Sequence, residues 1–185
     1  MHLHLFREPR LYDGRQLTSL WIFHQLGLIG DAVVAFRGPC RVELTEMVDQ
    51  ADVRALSPIF SADMLHFLVE HFENDLEKAV LRQRLLVVSI AEELSRRGAS
   101  LCRSGDDLFF GERKLSVSIA TVTPVSVVIH TGVNINPGDA PVPAVGLEDL
   151  GLAGEWEEIA VSVMEAYARE TEGVRLARCK VRAVG

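Results

Sequence analysis

Strand-like and helix-like periodicities follow one another along this sequence without the regular strand–helix–strand repeat of parallel sheets, and they predict an α+β fold. The expected architecture has helices packed on a largely antiparallel, mixed sheet. Three observations carry that reading. Alternating segments recur at Met1–Phe6, Lys114–Thr121 and Val125–Asn136. Two long runs repeat their apolar residues at helical spacing: Leu76 to Leu94, and Trp156, Ile159, Ala160, Val163, Met164 and Tyr167. The chain has 185 residues, of which 48% are apolar, enough for one domain spanning 1–185 that buries about 70% of its unfolded surface.

Each element has its own signal. Met1–Phe6 alternates as a strand. Thr18 is placed to cap a short helix with Leu20, Phe23 and Leu26 inward, which Gly27 ends. Asp31–Arg37 and Arg41–Met47 read as two strands around a Gly38–Pro39 turn. Met64–Phe72 suits either a helix capped by Ser61 or a strand, and its aromatic and β-branched content selects the strand. Asp75 opens a long helix that Arg96, Arg97 and Gly98 close. Ser100–Phe110, broken near Gly105, Lys114–Thr121 and Val125–Asn136 are expected as antiparallel neighbours, with Gly111 and Glu112 in a tight turn. Asn136–Pro143 is rich enough in Gly and Pro for one surface loop. Trp21, Phe23 and Trp156 read as core, and Val174–Val184 reads as a closing strand with a basic edge.

Composition narrows the function classes. A net charge of −7 gives no basic surface for a phosphate backbone, so nucleic acid is not expected as the main partner. No apolar run approaches the roughly 18 residues of a membrane span, and Met1–Arg10 lacks the pattern of a secretory leader. Cys40, Cys102 and Cys179 are odd in number and form no CxxC pair, which fits neither a disulfide framework nor a zinc ribbon and suits a cytoplasmic protein.

The segment Arg103–Asn136 concentrates the chemistry. Alternation places Lys114, Ser116 and Ser118 on one face, opposite Leu115, Val117 and Ile119. A cation followed by two small hydroxyl residues leaves room above the sheet for an anionic ligand, and a solvated strand end gives the same pattern. The next strand places His130, Gly132, Asn134 and Asn136 together, opposite Ile129, Thr131, Val133 and Ile135. Gly and Asn are poor strand formers, so their presence points either to ligand approach at Gly132 with amide hydrogen bonds from the asparagines, or to an edge or bulge. Asp106 and Asp107 fit Mg²⁺ ligation beside a substrate phosphate, or a turn.

These motifs carry a resemblance. RSGDDLFFGERKL (Arg103–Leu115) resembles the biotin-ligase pattern KWPNDLxxxxRKL, KLSVS (Lys114–Ser118) the lipoate-ligase KISGS, and GVNIN (Gly132–Asn136) GINVN. GLEDLG (Gly146–Gly151) also has a counterpart. Leu85–Arg169 therefore looks like the catalytic core of biotin and lipoate protein ligases, a fold related to class II aminoacyl-tRNA synthetases. With GDAVVAFRGPC (Gly30–Cys40), MVDQADV (Met47–Val53) and MLHFLVEHF (Met64–Phe72), the whole chain is similar to the family called domain of unknown function 366.

The resemblance implies that a carboxylate attacks the α-phosphate of ATP, with Mg²⁺, and that an amine of an acceptor opens the acyl-adenylate. Lys114 matches the lysine that contacts acid and phosphate. Arg103, Asp106 and Asp107 match phosphate, metal or ribose contacts, and Asn134 and Asn136 the nucleotide side. The ligases' glycine-arginine phosphate loop is missing; FRGPCR, with Arg37, Gly38 and Arg41, lies nearest its position. Val117 replaces a glycine and Ser104 a tryptophan, so neither biotin nor lipoate is implied as substrate.

Two further candidates remain. His66 shares a face with Glu70, in a spacing that is no zinc motif, and fits a general base or substrate contact. Cys40, between Arg37 and Arg41, is a buried structural cysteine or a thiolate activated by the arginines; related acyltransferases pass acyl groups through a cysteine without ATP. The rival to all enzymatic readings is a non-catalytic binding protein that keeps the pocket. A homodimer is expected from the prevalence of two-fold assemblies.

Overall fold

The computed structural model describes residues 1–56, 58–138 and 140–184. Its framework is a five-stranded sheet in the order β1–β2–β3–β8–β7, formed by His2–Phe6, Ala32–Val42, Ile59–His71, Val127–Asn136 and Ser116–Val122. β1 lies parallel to β2 and every other pair is antiparallel. A second sheet of three short strands, β4 (Cys102–Ser104), β5 (Asp107–Phe110) and β6 (Arg113–Lys114), sits beside it. The α+β expectation holds, and Met64–Phe72 lies within β3 as a strand. The three strands expected as neighbours are divided between two sheets.

Helices α3 (Leu76–Arg96) and α4 (Trp156–Ala177) cover one face of the large sheet. Asp75 caps α3 by accepting from the Lys78 N–H at 3.0 Å. Leu86, Val87, Ile90 and Leu94 of α3 and Ile159, Val163 and Tyr167 of α4 close over Val33, Leu65, Phe67, Ile129 and Val133. Tyr167 Oη meets the buried His71 Nε2 at 2.9 Å at its edge, and the helical and strand periods meet on this core. The other face is covered by segment 7–20, by α1 (Trp21–Leu26), and by the chain around Met47 and α2 (Gln50–Arg54).

Four local expectations are corrected. Ala32–Val42 is one strand with a bulge between Gly38 and Cys40, not two strands around a turn. At the bulge Pro39 needs no ladder N–H, and Gly38 is required because a Cβ there would stand 2.0 Å from the Arg10 carbonyl oxygen. Thr18 does not cap α1; Leu20 takes the cap position at φ 63°, and its N–H donates to Glu70 Oε1 at 2.8 Å. Ile22 is the buried residue of α1, and Phe23 is exposed. Residues 174–184 form no strand: α4 continues to Ala177, with Arg175 paired to Glu172 one turn back, and an irregular tail follows. The expected loop Asn136–Pro143 begins at the end of β8, and its Asp139, like Gly185, lies outside the described residues.

Candidate functional site

A cavity of about 330 Å³ opens over the sheet face that α3 and α4 leave free. Met64, Val117, Ile119 and His130 form its floor, Tyr12, Val42, Met47 and Phe60 its walls, and Ala140–Val142 one edge. Lys114 is the one Lys or Arg among its described lining residues, against the carboxylates of Glu46, Asp49, Asp52, Asp106 and Asp107.

Lys114 is held by its backbone. Its N–H donates to Pro143 O at 2.9 Å and its carbonyl accepts from Val145 N–H at 3.0 Å, which fastens the lysine's backbone to the segment after β8. Its ammonium lies 2.9 Å from Asp107 Oδ2. Burial pushes the Asp107 carboxyl up from its usual value, against the pull of Lys114. Asp106 Oδ2 accepts from Gln83 Nε2 at 2.8 Å, which ties the β4–β5 turn to α3. Among the described residues no group of three or more His, Cys, Asp or Glu is arranged to hold a metal ion.

The expected face of β7 is reversed. Leu115 lies between the two sheets and is buried in the helix-side core, and Ser116 follows it into that same side, so the alternation slips by one residue where the chain changes sheets. Ser116 Oγ accepts from Leu108 N–H at 2.9 Å. Ser118 Oγ accepts from Gln83 Nε2 at 3.0 Å and pairs with Thr131 Oγ1 at 2.8 Å. Both border the cavity, but their hydroxyls serve the protein. Val117 and Ile119, expected in the core, face the cavity.

On β8 the expected pairing of faces is observed, while the reasons differ. A Cβ at Gly132 would stand 2.2 Å from Met64 Sδ, so the glycine admits a methionine rather than a ligand. Asn134 Nδ2 donates to Val145 O at 3.2 Å, and Asn136 Nδ2 to Glu148 Oε2 at 2.9 Å, so both asparagines fasten the loop after β8.

The remaining candidates disperse. Arg37 donates to Asp63 Oδ2 from Nε at 2.8 Å and Nη2 at 2.5 Å. Arg41 is exposed, and Arg103 turns back to the Gly105 carbonyl. None of the three lines the cavity, and FRGPCR lies inside β2, so these residues do not build a triphosphate cradle. Cys40 borders the cavity but is fully buried, and burial pushes its thiol up to about 12, opposite to the activation expected from its arginine neighbours. His66 is buried beneath the cavity floor. Its Nε2 lies 3.1 Å from Gly38 O and its Nδ1 3.0 Å from His130 Nε2, and burial pushes it down to about 3. A neutral ring with both nitrogens engaged is not placed to be a general base.

Sequence reasoning missed Tyr12, whose ring stacks on His130 with centroids 3.6 Å apart and planes 8° from parallel. No periodic signal marks a single aromatic in an irregular segment. It also missed Met64 as cavity floor; the facing Gly132 was the clue.

Comparison with known proteins places this architecture. A family model described as "Domain of unknown function (DUF366)" matches residues 1–182. An uncharacterized protein of Methanocaldococcus jannaschii is 37% identical over 177 residues, covering 92% of this chain and 80% of that protein. The solved structure of a protein of unknown function from Pyrococcus horikoshi is 38% identical with a TM-score of 0.91, over 99% of this chain and 100% of that one. A putative lipoate protein ligase from T. acidophilum has a TM-score of 0.62 at 11% identity, over 91% and 84%. Biotin protein ligase from Aquifex aeolicus, solved with biotin and ATP, has 0.58 at 15%, over 90% and 69%. At such identities the last two show a shared fold, that of the biotin and lipoate ligases and the class II synthetases.

Proposed function

This chain belongs to the family described as Domain of unknown function (DUF366), and from that premise we propose that its cavity binds a small, largely apolar carboxylate. The observation that carries the reading is a 330 Å³ space whose floor includes Met64, Val117 and Ile119, with Lys114 as the one Lys or Arg among its described lining residues. Apolar surface joined with polar groups that fix a ligand's orientation is usual for a small-molecule site. The ammonium of Lys114 takes the carboxylate of the ligand in place of, or together with, Asp107, and the chain of the ligand lies over Val117, Ile119 and Met64.

ATP and Mg²⁺ enter this proposal as an arm of its test. The arginines that the resemblance assigned to phosphate lie away from the cavity, and the five lining carboxylates repel a multiply charged free triphosphate more strongly than a singly charged carboxylate. Asp107 is the one candidate Mg²⁺ ligand at Lys114, and Mg²⁺ takes one or two carboxylates when phosphates supply further oxygens. Nucleotide binding is therefore expected to require Mg²⁺. Transfer of an acyl group to a protein acceptor, and a homodimer, extend the same proposal.

The test is a thermal-shift screen of straight-chain carboxylates from butyrate to decanoate, with and without ATP–Mg²⁺, followed by assay of pyrophosphate release. A ligand that binds only the folded state raises the melting temperature, by an amount that grows with the logarithm of its free concentration once this exceeds Kd. Stabilisation by mid-length carboxylates supports the reading; no stabilisation at millimolar concentration by any of them overturns it. Carboxylate-dependent pyrophosphate release would extend the function to adenylation.

A further inference from the structure

The carboxylate reading gives no task to the pair His66 and His130, which are 0% and 2% exposed. The direction of their hydrogen bonds follows from one atom. Gly38 O is a carbonyl and only accepts, so His66 Nε2, 3.1 Å away, carries the hydrogen. An imidazolium buried without a carboxylate partner is costly, so the ring is neutral and its Nδ1 holds a lone pair. That lone pair takes the hydrogen of His130 Nε2 at 3.0 Å. His130, neutral for the same reason, is then the Nε2–H tautomer, and its Nδ1 is a bare acceptor. Rotating the ring would break the bond to His66, and Tyr12 stacked on its face resists any tilt. His130 lines the cavity, and among the described residues its Nδ1 receives no hydrogen bond.

We propose that His130 Nδ1 is a specificity-determining acceptor in the cavity, which selects a carboxylate bearing an amide N–H or a hydroxyl remote from its charged end. The proposal rests on the carboxylate reading for the Lys114 end of the ligand, and the His130 end can be tested apart from it. The Gly38–His66–His130 chain sets the polarity: a donor is accepted and a carbonyl or ether oxygen facing Nδ1 is refused. A buried acceptor left without a donor loses affinity, so ligands with the donor are expected to bind about tenfold tighter than matched ones without it.

The experiment uses the full chain labelled with ¹⁵N-histidine, read by long-range ¹H–¹⁵N correlation. Without ligand, both histidines are expected as neutral Nε2–H tautomers; a protonated Nδ1 on His130 overturns the proposal. Three neutral probes are then titrated: 2-pyrrolidinone, its N-methyl analogue, and cyclopentanol. A saturable shift of His130 Nδ1 with the lactam and not with the N-methyl compound supports the assignment. The cyclopentanol arm tells an amide from a hydroxyl preference. Equal shifts with all three probes, or none, overturn it. His130→Phe is expected to abolish the lactam preference, and Lys114→Ala to retain it. If octanoate fails to bind while the lactam still shifts Nδ1, the carboxylate reading falls and the role of His130 stands.

Discussion

The two faces of the large sheet are made by the same five strands and do opposite work. Toward α3 and α4, residues such as Leu65, Phe67, Ile129 and Val133 are fully or almost fully buried in an apolar core. Toward the cavity, the same strands bury His66, His130 and Asn134 among fewer apolar groups, and each of these three has a named hydrogen-bond partner. The helix-side face sets its few polar groups, such as Ser116, Thr131 and His71, within a larger apolar core, whereas the cavity face places polar groups around an open space. Alternation divides these tasks because neighbouring residues face opposite sides, except where a bulge such as Gly38–Cys40 or the change of sheet at Leu115 interrupts it.

The largest test of that division is Phe67→Ala, which removes a fully buried ring from the helix side and is expected to cost about 3–5 kcal/mol in urea unfolding. Ile119→Ala, on the partly open cavity side, should cost about 1 kcal/mol. Equal costs would mean the faces do not differ.

The second test is acid. Burial pushes His66 down to about 3, whereas in the unfolded chain it titrates near ~6.5. Between those values the unfolded chain binds a proton that the folded chain refuses. Stability conferred above the unfolded pKa is therefore lost as pH falls through this window, by up to about 1.4 kcal/mol per pH unit for this residue. His130, shifted the same way by burial and by His66, adds to the loss. Urea midpoints at pH 7 and pH 5 check it, and an unchanged midpoint would contradict a buried neutral pair.

The third sharpens the reading of Gly132. Its alanine variant forces Met64 Sδ aside, and overpacking of this kind costs about 1–3 kcal/mol. Adding Met64→Ala relieves the clash, so the double variant should lose less than the two single losses summed. Strict additivity would mean that the glycine answers to something else.

Much of this was legible in the sequence where period and cap agree. Asp75, the spacing from Leu76 to Leu94 and the spacing from Trp156 to Tyr167 mark α3 and α4, and the alternation along β8 assigns both its faces. The resemblance in Arg103–Asn136 located Lys114. What could not be read depended on partners remote in sequence. Gly38 is fixed by the Arg10 carbonyl, Leu20 by Glu70, and Gly132 by Met64. The phase of β7 was lost because the chain changes sheets at Leu115, which no local pattern announces. The tail beyond Val174 alternates like a strand, yet α4 continues through its first part to Ala177, with Arg175 paired to Glu172 one turn back.

The smallest expected change in stability belongs to the residue on which function rests. Lys114 is partly exposed and paired with an equally exposed Asp107, so Lys114→Ala should alter stability by less than about 1 kcal/mol. Calorimetric titration of octanoate into the wild type and into Lys114→Ala therefore tests the central claim directly. The account predicts saturable one-site binding to the wild type, and its loss or strong weakening in a variant that remains folded. Undiminished binding by the variant, or none by the wild type at millimolar octanoate, would contradict it.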